Sequence, residues 1–185
     1  MMKNLYITIL LISSFLFSGY KMTENYVINS EQNAYIHNNL GLMYQRENQY
    51  YPAIQEFKIA ISLSPDVQAS AVFYNNLGEC YMQLNSPKMA QDCFERALKQ
   101  FPLNFRYYKN IAECYYQLGY ADEQILHSYN DSNPLGKVLR GLLLELKGDI
   151  VNAITTLDEF VATEPDLMIT GAVKQHIKEL VDKTY

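Results

Sequence analysis

Residues 34–65 read AYIHNNLGLMYQRENQYYPAIQEFKIAISLSP, and the fold turns on this stretch. Within it stand Leu40-Gly41, Tyr44, Ala53, Phe57, Ala60 and Pro65. The same residue types return at Leu77-Gly78, Tyr81, Ala90, Phe94, Ala97 and Pro102, with identical internal spacings. His37, Leu40, Gly41 and Tyr44 fall at i, i+3, i+4 and i+7, which puts them on one stripe of a helix. Ala53, Phe57 and Ala60 fall at i, i+4 and i+7 and stripe a second helix. The small residues let two helix axes approach, and Tyr44 and Phe57 fill the space that remains. Pro65 lacks an N–H and crowds the preceding turn, so it ends the second helix. The unit is helix, short turn, helix, over about 34 residues. One such pair cannot bury its stripe alone, whereas stacked pairs share a continuous core.

The period and the Leu-Gly, Tyr, Ala, Phe, Ala, Pro signature resemble the tetratricopeptide repeat (TPR). Both copies match the signature except at the first aromatic of copy one, where His37 stands. The resemblance implies an all-α fold, a right-handed superhelical stack of antiparallel helix pairs with a curved inner groove. It also implies binding rather than catalysis.

Outward from the two copies, the pattern weakens but persists. Repeats are expected at 34–67, 71–104, 105–133 and 134–167, with helices near 31–46 and 50–63 in the first. Tyr108, Ile111, Ala112 and Tyr115 keep the first-helix stripe of repeat three. Its second helix decays, because Gln124, Ser128 and Asp131 stand where Ala, Phe and Ala belong. A short helix near 121–129 is expected there, the least stable part of the stack. Repeat four keeps Gly141, Leu144, Ala153, Leu157 and Pro165, with Arg140 in the Leu slot and Phe160 in place of a small Ala. Ser86-Pro87 and Asn133-Pro134 read as cap and first-position pairs. Residues 168–185 are expected as a C-terminal capping helix, its amphipathic pattern beginning near Asp166.

The N-terminal segment is of another kind. Lys3 is followed by an apolar run over 5–17, broken only by Thr8, Ser13 and Ser14, and then by Ser18 and Gly19. This reads as a signal peptide or an uncleaved N-terminal membrane anchor over 1–20. The run is shorter than the roughly 20 residues of a typical spanning helix. Tyr20 stands where a lipoprotein box requires Cys, which argues against lipidation. Residues 21–33 read as a polar linker. The protein is therefore expected to be exported, periplasmic or otherwise extracytoplasmic, or tethered to the membrane.

A net charge of −5 over 185 residues argues against nucleic acid as the main ligand, since phosphate binding needs a basic excess. Cys80, Cys93 and Cys114 are odd in number and form no CxxC pair, so they read as small buried hydrophobes. No nucleotide-binding, metalloprotease or nucleophile-elbow motif is present, and no metal or cofactor is expected. His37 occupies an aromatic slot and reads as a packed histidine. Glu79 and Glu113, one repeat apart, read as solvated groove charges.

Asn39, Asn76 and Asn110 each precede the signature Leu or Ile. A row of amides, each donor and acceptor, can hold an extended peptide backbone or can bond to its neighbours. Asparagines at this position in TPR proteins that bind extended peptides imply the first role. The remaining groove positions are Tyr35, Asn38 and Leu42 in repeat one and Asn75, Glu79 and Met82 in repeat two. Repeat three adds Arg106, Lys109, Glu113 and Tyr116. This surface suits an extended peptide with a few apolar or acidic side chains. TPR domains that clamp a chaperone's C-terminal carboxylate use two lysines, an arginine and two asparagines. Here Asn76 matches and Arg106 is a basic stand-in, while Asn38, Leu42 and Asn110 replace the other three. The expected function is a non-catalytic scaffold for a peptide or protein partner. The other classes that fit are a structural or oligomerisation module, contacting through its convex face or last helix, and an assembly factor of a pilus- or secretion-type envelope machine.

Overall fold

A computed structural model of the chain describes residues 30–64 and 68–184. The signal or anchor segment, most of the linker and the predicted helix-ending Pro65 lie outside the described residues. Every regular element among them is a helix. In chain order these are α1 (Ser30–Arg46), α2 (Tyr50–Leu63), α3 (Gln68–Gln83), α4 (Pro87–Gln100), α5 (Phe105–Gln117), α6 (Ala121–Asn130), α7 (Leu135–Leu146), α8 (Ile150–Thr163) and α9 (Thr170–Thr184). Consecutive helices pack as hairpins, and each hairpin packs on the next.

The Leu-Gly signature has a direct steric cause. A Cβ built on Gly41 would lie 2.6 Å from Cε1 of Phe57, and one on Gly78 would lie 2.5 Å from Cε1 of Phe94. Phe57 and Phe94 are both fully buried. Each glycine is thus the hole into which the aromatic of the second helix presses. Repeat four repeats the arrangement with Gly141 against Leu157, at 2.6 Å. Repeat three inverts it: Ala112 fills the glycine slot and the small Ser128 takes the aromatic one, both buried.

All four hairpin turns share one geometry. Asn48, Asn85, Gly119 and Gly148 have positive φ, between 53° and 84°. Each is eight residues after the signature Leu or its stand-in. The next residue's N–H donates five residues back: Gln49 to Tyr44, Ser86 to Tyr81, Tyr120 to Tyr115 and Asp149 to Leu144. This is the Schellman motif, which satisfies the last carbonyls of the first helix. Glycine and, next best, asparagine reach the left-handed region at small cost.

Several local expectations change. Ser86 precedes α4, but its hydroxyl donates to the carbonyl of Leu84 instead of capping the helix. Asn133 does accept from the backbone N–H of Leu135, at 3.1 Å, and Asn104 caps α5 in the same way at Arg106, at 3.0 Å. The last helix begins at Thr170, not near Asp166, and the hydroxyl of Thr170 donates to the carbonyl of Glu164 across the turn. His37 is not a core residue. Its ring is partly exposed, and Nδ1 lies 2.6 Å from a Glu56 carboxylate oxygen. Tyr74 and Lys137, in the same slot of repeats two and four, are only half-buried as well, so this slot borders the surface beside the second helix of its hairpin.

The cysteines are buried as expected. Burial pushes the Cys80 thiol up to about 12, with Glu79 adding to the shift. Burial, with a smaller contribution from Asp92, takes Cys93 to about 12 as well. Cys114, whose thiol donates to the carbonyl of Pro87, is pushed up to about 11, again mainly by burial. Raised values mean that thiolate is scarce at pH 8. Native protein is therefore expected to react with a thiol-specific dye at under about a hundredth of the rate of free cysteine. Full labelling of all three cysteines is expected in 6 M guanidinium. Fast labelling of the native chain by one equivalent would contradict the packing described.

Candidate binding groove

The first helices α1, α3, α5 and α7 line up side by side, and the first three carry the predicted groove residues. Their asparagines form a ladder. Asn76 Nδ2 donates to Asn38 Oδ1 at 3.0 Å, and Asn110 Nδ2 donates to Asn75 Oδ1 at 2.8 Å. Each rung joins the residue one before the signature Leu or Ile to the residue two before it in the preceding repeat. Asn38, Asn75 and Asn76 are buried. Asn39 has the same phase as Asn76 and Asn110, with no repeat before it among the described residues, and it is exposed. Lys109 and Leu139 occupy the next rung and end the ladder.

Glu79 is the hub of this arrangement rather than a solvated charge. One of its carboxylate oxygens accepts from Asn75 Nδ2 and Asn110 Nδ2, both at 2.8 Å. The Arg106 guanidinium lies 2.7 Å from the same carboxylate, and Gln45 Nε2 reaches it at 3.4 Å. Arg106 is thus already paired, and its charge is offset. Glu113, its counterpart one repeat on, accepts from Gln117 at 3.0 Å and joins none of these amides among the described residues.

Three hollows run along the first helices and share Asn110. One of about 430 Å³ is bounded by Gln45, Glu79, Met82 and Glu113. A second, of about 260 Å³, lies between Lys109, Glu113 and the Leu142–Leu146 side of α7. The largest, about 730 Å³, has Phe105, Arg106 and Lys109 on one wall and Met168, Gln175, His176 and Glu179 on the other. The last helix therefore supplies the far wall of the groove. It is held there by His176, whose Nε2 lies 2.6 Å from a Glu145 carboxylate oxygen. The His176 ring also packs on Phe105, with centroids 5.2 Å apart.

Of the predicted groove residues, Glu79, Met82, Arg106, Lys109, Asn110 and Glu113 come together around these hollows. Tyr35, Asn38, Asn39, Leu42, Asn75, Asn76 and Tyr116 line none of the three. Tyr35 is exposed and meets Phe73 edge to face at 5.8 Å, and Tyr116 is exposed. The wall contributed by α9 went unread in the sequence. Its signal was the pair Gln175-His176 on an otherwise amphipathic terminal helix.

Family models of the tetratricopeptide repeat match residues 34–67 and 71–104, the two copies with the full signature. The chain is a tetratricopeptide-repeat protein. Protein O-mannosyl-transferase tmtc2 of Xenopus laevis is 36% identical over 64 residues, which are 35% of this chain and 8% of that protein. The chain thus spans under a tenth of that relative. A tetratricopeptide repeat protein from Parabacteroides merdae superposes with a TM-score of 0.52 at 15% identity, covering 82% of this chain and 61% of its own. MamA superposes with a TM-score of 0.50 at 20% identity, covering 72% of this chain and 74% of its own. These likenesses establish the helical-repeat fold.

Proposed function

We propose that the chain is a non-catalytic scaffold that holds an extended peptide, or an extended segment of a protein, along its first helices. The observation that carries this reading is the run of three contiguous hollows sharing Asn110. All three are walled by the first helices, and α9 supplies the far wall of the largest. Exposed Lys109 and half-buried Glu113 offer opposite charges one turn apart on α5. A peptide backbone has donors and acceptors to match, and its acidic and basic side chains would choose between them. The interlocked amides keep the wall rigid, which lowers the ordering cost of binding.

The apolar run at 5–17 behind Lys3 supports export or membrane tethering as part of the same reading. N-terminal sequencing of protein recovered from its native envelope tests this. A chain still starting at Met1 and found in the soluble cytoplasmic fraction would overturn it.

The groove itself is tested by the charge swap Lys109→Glu with Glu113→Lys, which leaves the net charge unchanged. Wild type and variant are immobilised at equal helicity by circular dichroism, and the captured proteins are compared by quantitative mass spectrometry. The expected result is at least about a tenfold loss of a specific captured partner, the order of two charge-assisted contacts. Equal capture by both would remove the groove from the account.

A further inference from the structure

Arg140 occupies the slot held by Leu40, Leu77 and Ile111 in the other repeats. That slot packs one hairpin on the preceding one, and Arg140 is accordingly only 7% exposed. Among the described residues its Nε is buried and donates to nothing. Among the described residues, no carboxylate lies within ion-pair distance of it. Its partner is the ring of Tyr129 on α6, whose centroid lies 4.1 Å from the guanidinium carbon.

This is an expensive arrangement for a packing residue. A guanidinium stays charged, carries five N–H donors and accepts none. A buried charge is normally paired, and leucine would fill the slot without that cost. A ring face screens the charge but does not replace acceptors in the guanidinium plane. Tyr129 stands next to the last residue of α6, so the partial negative charge of that helix end offsets some of the cost. It supplies no acceptor to Nε. Lys137, one turn earlier on α7, adds a second cation, and its Glu159 partner is 3.9 Å away. Tyr129 is 64% exposed, so the ring that covers the guanidinium borders solvent.

We infer that Arg140, covered by Tyr129, is a binding site for an oxyanion: a carboxylate or phosphate group that takes the paired N–H donors of its fork at the seam between α6 and α7. Arg140 and Tyr129 line none of the three hollows, so this site stands apart from the groove reading.

The test uses the chain's few arginines, Arg46, Arg96, Arg106 and Arg140, whose Nε–H groups can be followed by nitrogen–proton correlation spectra. Inorganic phosphate, acetate and hexaglutamate are titrated at constant ionic strength, with chloride as the balance. The expected result is a saturable shift of the Arg140 Nε–H signal, assigned by its loss in Arg140→Leu. A rise in the thermal midpoint of the wild type should accompany it and be absent from Arg140→Leu. Saturation by hexaglutamate at concentrations at least about tenfold below phosphate would identify a partner's acidic side chains as the source. The reverse order would identify a free anion. Arg140→Lys should weaken binding by about tenfold through loss of the fork. An Arg140 signal unmoved by all three probes would overturn the inference, even if a variant failed to fold. So would an equal midpoint rise in wild type and Arg140→Leu.

Discussion

Phe94→Ala is expected to cost about 3–5 kcal/mol of folding stability, measured by the urea midpoint. Phe94 is fully buried and its ring fills the space left open by Gly78. Removing the ring leaves a void beside a glycine, which has no side chain of its own to fill it. The sharper result concerns the pair. In the wild type, Gly78→Ala drives a Cβ to 2.5 Å from the Phe94 ring and is expected to cost about 1–3 kcal/mol. In the Phe94→Ala background the obstacle is gone, and alanine's better helix propensity contributes about 1 kcal/mol. The same substitution should then stabilise, so its sign reverses. Contacting residues couple by roughly 0.5–3 kcal/mol in such cycles. An unchanged penalty in both backgrounds would mean that the ring does not occupy the glycine's space.

Repeat three already carries a natural version of that experiment. Ala112 fills the glycine slot and Ser128 the aromatic one, so the collision disappears and α6 shortens to Ala121–Asn130. This decay was legible in the sequence, because Gln124, Ser128 and Asp131 break a stripe whose spacing was already known. Helix bounds were legible for the same reason, and α2 falls where the pattern puts it. The Schellman turns were equally present in the letters, as Asn48, Asn85, Gly119 and Gly148 in one slot, but their role needs the backbone to show a positive φ.

The site was less legible. Asn39, Asn76 and Asn110 share a phase, and a phase says which face a residue occupies, not what it bonds to. The acceptors, Asn38 and Asn75, lie in the preceding repeat, at a distance set only by how the hairpins stack. His37 shows the same limit. Its slot lies beside the second helix of its own hairpin, where Tyr74 and Lys137 are also only half-buried, and here Glu56 takes the ring. The wall supplied by α9 depends on where the terminal helix comes to rest, which no periodicity encodes.

The hub at Glu79 makes the second large prediction. Glu79→Ala is expected to cost about 2–4 kcal/mol, read from the same urea midpoint. Asn75 is 1% exposed, and its amide donates to Glu79 at 2.8 Å, so without the carboxylate a buried donor goes unmet. Asn110 keeps Asn75 Oδ1 but loses its second acceptor. Arg106 contributes little to the cost, because its side chain is 64% exposed and water replaces the lost partner. Glu79→Gln keeps one acceptor oxygen and should cost about 1 kcal/mol, and Arg106→Ala less than about 1 kcal/mol. Of the contacts to Glu79, salt at 1 M screens chiefly the exposed Arg106 pair, so the stability difference between wild type and Arg106→Ala should shrink as salt rises while that of Glu79→Ala largely persists. The order Ala, then Gln, then Arg106→Ala follows from which donors are buried. An Arg106→Ala variant as damaged as Glu79→Ala would mean that the surface ion pair, and not the amide ladder, holds the first helices together. The groove would then owe its shape to charge and should loosen as salt rises.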